Sequence, residues 1–539
     1  MRAGGIEDGG PPVSSDPYAG SPYPPPPGFG PPQGYGPAPA QVPAQGYGPP
    51  PGYPPAPADR RPTPAPVPAK PMTPGQLAGV SGLVLTQVLL VFGAVSVNLA
   101  LPSMVRDLAL SHAVLGWLVA AYTLPLGALP LVAGRLGEAL GRRQLYFGGL
   151  GLFALCSVAA ALGHSAGEVI MARTGQGLGA ALGTAGAIAL LERTALSRRG
   201  REVALGCYFA AGLAAFPASI PLSALLLEHT PGWRWILWSS ALLGLALLLF
   251  TAVTLPETAS RPAGPELATA LSASVGLILL TRGVSRGLAQ GWTDHGVWAW
   301  FAGAVLLLAV ALIADPRDRR PLTGERVREL LGRYGAYLTV ALLATALLAS
   351  FSVLLTLFQV ALGHSPLESG QLLLPAVAAT VLAALVLPRF ARVLGGRAVG
   401  AGAALLAALG CGWLARTTLA TGYASGILPP LLLVAFGAGG AIAIVAANAR
   451  EVGGARLGAL NTSFTLSLSA GATLVSGLAA NAALDYLRAP DRAGPASRAL
   501  ATAWVHAAVP TGFGVPAVLA ALAAVIAGCT LPARGAAGS

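Results

Sequence analysis

The sequence predicts an all-α polytopic membrane protein of about fourteen transmembrane helices, and three observations predict it. Hydrophobic residues make up 54% of the 539-residue chain and charged residues only 10%, against about a quarter charged in soluble domains. From Leu77 onward apolar runs recur, and a run of roughly 18 or more apolar residues is long enough to cross a bilayer. Basic residues gather in alternate connections between those runs, as in chains that keep positive charge on one face of the membrane. Only helices can cross repeatedly in this way, because lipid offers no partner to backbone N–H and C=O groups.

Residues 1–75 are rich in Pro, Gly, Ala and Tyr, with Tyr23 followed by four prolines and Gly-Tyr-Gly-Pro beginning at Gly34 and again at Gly46. Such a stretch cannot bury a core and is expected to be a disordered, partly polyproline-II cytoplasmic tail. It serves either as a docking or self-association segment or as a solvated tail. It has no charged-then-apolar leader, so the first transmembrane helix is expected to direct insertion. The apolar segments that follow centre near residues 90, 123, 154, 179, 214, 245, 277, 305, 347, 377, 406, 436, 469 and 521.

Arg142 and Arg143, then Arg198, Arg199 and Arg201, then Arg261, then a dense run from Arg317 to Arg333 mark the even-to-odd connections. Arg389, Arg392 and Arg397, then Arg450 and Arg456, then Arg534 continue the alternation, which places both termini in the cytoplasm. The last outer connection, about 483–508, breaks the rule mildly with Arg488, Arg492 and Arg498. The net charge of +12 is spread between apolar runs instead of clustering on a soluble domain, which argues against nucleic acid as a partner. A single lysine, Lys70, beside so many arginines suggests a GC-rich bacterial genome, hence a bacterial inner membrane. Cys156, Cys207, Cys411 and Cys529 lie within apolar runs without metal-ligand spacing and are expected to be buried free thiols. His112, His164, His229, His295, His364 and His506 fall at the outer face, where titratable side chains belong at an interface, and no metal site is expected.

The stretch Gly134-Arg135-Leu136-Gly137-Glu138-Ala139-Leu140-Gly141-Arg142-Arg143 is a short charged segment between two apolar runs and reads as a membrane hairpin turn. Arg389 to Arg397 is a worn copy of it after the tenth segment. The pattern closely resembles the signature loop of the major facilitator superfamily, with Glu138 where that family usually has Asp. Arg173-Thr174-Gly175-Gln176-Gly177-Leu178-Gly179-Ala180-Ala181 resembles the fourth-helix signature, and Trp233-Arg234-Trp235 and Leu255-Pro256-Glu257-Thr258 bracket the sixth segment as in relatives. Gln359, Gly363 to Gly370 and Pro375 look like the ninth-to-tenth connection of the fourteen-helix drug:proton antiporter branch. The resemblance covers residues 78–531.

The resemblance implies a major facilitator fold: a six-helix bundle over 76–258, two extra helices over 259–316, a basic loop over 317–334, a second six-helix bundle over 335–531 and a cytoplasmic tail at 532–539. Substrate would bind near the midplane between the bundles. Gly134, Gly137, Glu138, Gly141, Arg142 and Arg143 would form the cytoplasmic gate, with Glu138 pairing with Arg142 four residues on. Arg173 and Gln176, three apart on one helix face, would line the path or serve coupling. An arginine inside a span costs roughly 2.5 to 3.5 kcal/mol, so Arg173 either faces the central cavity or snorkels outward. Asn98 and Gln359 are either polar contacts in the cavity or helix-packing hydrogen bonds. Gly177, Gly179 and Pro217 are expected to serve helix packing.

Three departures bear on mechanism. Gly93 stands where relatives carry a first-helix Asp, the fifth-helix motif is reduced to Phe216-Pro217-Ala218-Ser219-Ile220-Pro221, and Ser240 and Leu242 replace an Asn and a Pro. No carboxylate falls at the centre of a span; Glu168, Glu192 and Glu368 lie near helix ends. Arg282 and Arg286 add positive charge, and a positive cavity would favour neutral or anionic substrates. The expectation is a secondary active exporter of small organic molecules, working by alternating access as a monomer, with the proton as candidate coupling ion. The alternative is a transport-inactive membrane partner or sensor. No Walker loop, nucleophile elbow or metal cluster points to an enzyme or to a cofactor.

Overall fold

A computed structural model describes residues 72–108, 112–195, 198–255, 267–291, 293–313, 324–448, 461–467 and 502–531. Its helices are α1 (Pro74–Leu108), α2 (His112–Ala128), α3 (Pro130–Leu140), α4 (Arg142–Leu162), α5 (Ala166–Thr194), α6 (Arg198–His229) and α7 (Arg234–Thr254). They continue with α8 (Leu267–Gln290), α9 (His295–Ile313), α10 (Gly324–Thr356), α11 (Pro366–Leu394), α12 (Gly396–Leu414), α13 (Leu428–Asn448) and α14 (Val509–Thr530). Each expected segment coincides with a described helix except the one centred near residue 469, of which only residues 461–467 are described. The Pro-rich tail, save its last few residues, and the gate-side arginines at 261 and 317–320 lie outside the described residues.

Among the described residues ten helices are long and apolar enough to cross a membrane, or eleven if α2 and α3 form one bent span. The apolar stretches of α8 and α9, Ala270–Leu280 and His295–Val310, are shorter. The bend between α2 and α3 is 54°, and proline explains it. Pro125 lies inside α2 and Pro130 opens α3, and a proline ring displaces the carbonyl four residues back while offering no N–H.

The charged stretch 134–143 is not a loop. It stays helical through Leu140, and the chain reverses at the single residue Gly141, at φ 100° and ψ 136°. A Cβ is disfavoured there, so glycine is the residue that fits. Gly395, between α11 and α12, has φ 95° and ψ 137°, so the worn copy of the motif keeps the same turn. A second repeated device opens α5 and α11. Ser165 and Ser365 each accept a hydrogen bond from the backbone N–H three residues on, and Glu168 and Glu368 reach back to backbone N–H groups of His164 and Ser365.

Glycines bring the N-terminal helices, α1 to α7, close together. A Cβ on Gly179 would lie 2.5 Å from Phe153 N of α4, and one on Gly177 would strike the Tyr122 carbonyl of α2. Gly149 and Gly183 meet in the same way, a Cβ on the former lying 2.5 Å from Gly183 N. Small residues at helix contacts are how membrane helices associate when water supplies no driving force. Away from the Gly141 end, Asp107 accepts hydrogen bonds from Trp233 Nε1 at 2.9 Å and Arg234 Nη1 at 3.3 Å, tying α1 to α7. Between α8 and α9, Arg286 Nε donates to Asp294 at 2.6 Å and holds that carboxyl below its usual range.

Of the C-terminal helices, α10 to α14, it is α11 and α13, with part of α10, that meet α6. Gly206 and Ala210 of α6 lie against Ala384 of α11 and Ala443 of α13. Farther along, Phe216 stacks on Phe351 of α10 at 6.3 Å. Beyond it Gly370 of α11 abuts Pro221, where a Cβ would come within 2.6 Å of the proline ring. Three π-helical turns, Leu357–Ala361, Tyr423–Ile427 and Trp504–Ala508, lie at the end of these helices opposite Gly395. Cys156, Cys207, Cys411 and Cys529 are free. Cys411 alone is fully buried, and Cys529 is exposed on the outer surface of α14, contrary to the expectation of four buried thiols.

Overpacking a close helix contact costs about 1–3 kcal/mol. Gly179→Val is therefore expected to lower the thermal unfolding midpoint in detergent, whereas Gly148→Val, at a glycine with nothing within 4 Å of a Cβ, is expected to leave it unchanged. Equal midpoints for the two variants would contradict the packing described.

Candidate functional site

Arg173 lies two turns into α5 and is completely buried. Its Nη1 donates to the Gly93 carbonyl of α1 at 2.9 Å and to Gln176 Oε1 at 2.7 Å. Gln176 Nε2 donates to Ser157 Oγ of α4 at 2.6 Å, and that hydroxyl donates to the Phe153 carbonyl at 2.7 Å. The guanidinium also lies over the Tyr122 ring at 4.4 Å, while Tyr122 donates to the Leu90 carbonyl at 2.7 Å. One cation thus gathers α1, α2, α4 and α5.

The pairing of Arg173 with Gln176 follows from their spacing on one helix face, as expected. The direction does not. Arg173 neither lines a central cavity nor snorkels to the surface; it is enclosed by the N-terminal helices. Gly93 accounts for this. A Cβ there would sit 3.2 Å from Phe153 and from the Tyr122 hydroxyl, so the absent side chain lets the guanidinium reach the backbone oxygen. Nε and Nη2 of Arg173 have no hydrogen-bond partner. Among the described residues no carboxylate pairs with it.

The segment read as a gate is arranged differently from the expected Glu138–Arg142 pair. Glu138 meets Arg135 at 3.4 Å, one turn away on α3. Arg142 instead lies 3.8 Å from Glu192 and donates to the Ala189 carbonyl at 3.4 Å, both on α5. The physical reason is Gly141: its positive φ ends α3, so residues 138 and 142 do not share a helix face. Arg143 donates to the Ala252 carbonyl of α7 at 3.2 Å and covers the Phe147 ring at 5.0 Å. Gly134 has open space around it, while Gly137 lies against Leu145, which a Cβ would approach to 3.0 Å.

Asn98 is exposed, and its amide bonds only its own helix, at the Ala94 and Val95 carbonyls. Gln359 is half-buried in the first π-helical turn. Pro217 is buried within α6 beside the Phe216–Phe351 stack. The arginines of α8 take up partners of their own: Arg282 lies over Trp117 at 5.6 Å and Arg286 binds Asp294.

Sequence reasoning missed a polar group where the N-terminal and C-terminal helices meet. Asn461 Nδ2 donates to Thr184 Oγ1 of α5 at 3.0 Å, and both side chains are fully buried. Gln87, at the middle of α1's membrane span, is 1% exposed. A lone amide inside an apolar run is a readable signal, whereas Asn98 stands out through its resemblance to the family's first-helix pattern. Glu192 reads in the sequence only as a carboxylate near a helix end, Tyr122 matches the family's second-helix pattern without a role attached to it, and Ser157 carries no pattern that separates it from other small residues in spans.

A family model described as the Major Facilitator Superfamily matches residues 83–477. The cephamycin export protein CmcT of Amycolatopsis lactamdurans is 32% identical over 356 residues, which cover 65% of this chain and 73% of that protein. The puromycin resistance protein pur8 of Streptomyces alboniger is 30% identical over 422 residues, covering 73% and 82% respectively. Among solved structures, the human organic anion transporter MFSD10 (TETRAN) superposes with a TM-score of 0.57 at 18% identity, over 84% of this chain and 100% of that one.

Removing one partner of a buried polar network costs more than removing both, because the remaining group is left unsatisfied, at about 1–3 kcal/mol. Gln176→Leu is accordingly expected to lower the thermal midpoint, and Arg173→Met combined with Gln176→Leu to recover part of the loss. A double variant less stable than Gln176→Leu alone would contradict the assignment of Arg173 as a cation held by these few acceptors.

Proposed function

The chain belongs to the Major Facilitator Superfamily, and we propose that it is a secondary transporter exporting small organic molecules across a bacterial inner membrane by alternating access, in the fourteen-helix drug:proton antiporter branch. It acts as a monomer, with both termini cytoplasmic. The two bundles are residues 76–258 and 335–531, with the extra helices of 259–316 and the basic loop of 317–334 between them. The support for export is the kinship with a cephamycin export protein and a puromycin resistance protein.

The observation that carries the reading is the character of the contact between α6 and the C-terminal helices. On the Gly141 side it includes Gly206, Ala210, Ala384 and Ala443 and the edge-on pair Phe209–Phe464, and beside it Asn461 donates to Thr184 of α5. Small apolar faces pack closely yet part without breaking ion pairs. The strong polar ties, Arg173 to Gly93 and Arg142 to Glu192, lie inside the N-terminal helices, so this half can rock as a unit. Gly134, Gly137, Glu138, Gly141, Arg142 and Arg143 then stiffen the cytoplasmic edge of that half. Gln176 and Arg173 act on the path through α1, Asn98 and Gln359 supply polar contacts to it, and Gly177, Gly179 and Pro217 keep helices in register.

The missing first-helix carboxylate, the main motive for a non-transporting scaffold, has a structural substitute in the Gly93 carbonyl. Proton antiport on this chain has Glu138 and Glu192 as described carboxylates at the gate, each against an arginine. Everted membrane vesicles loaded with ethidium, chloramphenicol or fluorescein, with and without an imposed proton gradient, test the proposal. Gradient-dependent movement of at least one probe, reduced more by Glu192→Gln than by Glu138→Gln, is the expected result. Well-folded protein that moves none of the three would favour the non-transporting scaffold.

A further inference from the structure

Where α1, α5, α6 and the helical stretch 461–467 converge, two buried amide oxygens lack any hydrogen-bond partner: Gln87 Oε1 and Asn461 Oδ1. Their side chains are 1% and 0% exposed. Native proteins leave few buried polar atoms unpaired, since each costs the desolvation of that group, and an exception asks for an explanation. Neither atom belongs to the Arg173 network or to the gate.

The surroundings give the explanation a direction. Gln87 Nε2 and the Phe464 ring both lie against Gly212 of α6, 3.0 Å and 2.9 Å from where its Cβ would be. Asn461, three residues before Phe464 on the same stretch, holds Thr184 Oγ1. Phe464 meets Phe209 edge-on at 5.5 Å, and the Tyr208 hydroxyl turns to the Thr184 carbonyl at 3.5 Å. Gln87 lies midway along its span. Aromatic walls with a few converging polar atoms, at the midplane and between the halves of a transporter, are the setting in which small-molecule sites occur.

We infer that Gln87 and Asn461 are acceptors for cargo at the junction of the two halves, and that this cargo is a neutral molecule with an aromatic or apolar body and at least one O–H or N–H donor. The inference rests on the transport reading above. Both orphaned atoms are carbonyl-type oxygens, which accept and do not donate. No charged side chain takes part in the described group, so a neutral donor satisfies it where an anion would meet only lone pairs. In the packed state of the structure the two oxygens go unsatisfied, and cargo that brings donors relieves them once the halves part, which couples cargo binding to the opening of this junction.

The experiment is equilibrium binding to purified full-length protein in lipid nanodiscs. Its probes are chloramphenicol, a neutral aromatic with free hydroxyls, and its hydroxyl-blocked diacetate, with ethidium and fluorescein as charged contrasts. Wild type is expected to prefer chloramphenicol to the diacetate by about tenfold, the size of one well-made hydrogen bond. Gln87→Met, close in volume, is expected to erase that preference while leaving diacetate affinity unchanged, and Asn461→Leu to do the same, each at an unaltered size-exclusion profile. Equal wild-type affinity for the two forms, or a preference that survives both substitutions, would overturn the inference. Binding of ethidium or fluorescein alone would overturn the cargo class and leave transport standing. Failure to bind or move any probe would overturn both.

Discussion

The fold turns on a guanidinium buried, among the described residues, without a counter-charge. Arg173 costs free energy to place among helices, and the chain offsets that cost with the Gly93 carbonyl, the Gln176 amide and the face of Tyr122 instead of a carboxylate. Each acceptor sits on a different part of the N-terminal half, so satisfying one cation fixes the mutual positions of α1, α2 and α5, with α4 added through Ser157. The glycine contacts of α5 follow from the same demand, because Gly177 and Gly179 let Tyr122 and Phe153 come near enough to enclose the guanidinium. A residue expected to meet cargo thereby becomes the fastening of one half of the transporter.

This distribution of polar strength suits a machine that rocks. Among the described residues the ionic and charge-assisted bonds that tie helices together lie within the N-terminal helices, at Arg173, at Arg142 with Glu192 and at Asp107 with Arg234, and between α8 and α9 at Arg286 with Asp294. Among the described residues the contacts across the halves are alanines, glycines, one proline, two aromatic pairs and one amide-to-hydroxyl bond. Bonds that must persist are strong, and those that must break and reform are weak. The turns at Gly141 and Gly395 share one backbone geometry, although the second copy of the motif has shed its acidic member.

Much of this was legible in the sequence because bilayer thickness and hydropathy leave little choice: helix positions, the pairing of Arg173 with Gln176 and the repeat of the glycine turn all follow from spacing. What was not legible depended on a single dihedral angle or on distant contacts. Four-residue spacing put Glu138 beside Arg142 only if the helix continued through Gly141, and its positive φ sends Arg142 to Glu192 instead. The direction of Arg173 depended on whether a side chain stood at position 93, a pairing eighty residues apart that periodicity does not report. The orphaned amides of Gln87 and Asn461 required knowing which helices from the two halves face each other.

The most direct test of the central claim, that the Arg173 network makes the N-terminal half one moving body, is a pair of spin-label distances in nanodiscs with and without cargo. Labels on Leu85 of α1 and Met171 of α5, both exposed on the outer surface, report within that half; Met171 and Val518 of α14 report across the halves. The account predicts that adding chloramphenicol or another transported probe shifts the distribution across the halves while the distribution within the N-terminal half stays fixed. Movement between Leu85 and Met171 as large as that between Met171 and Val518 would contradict it.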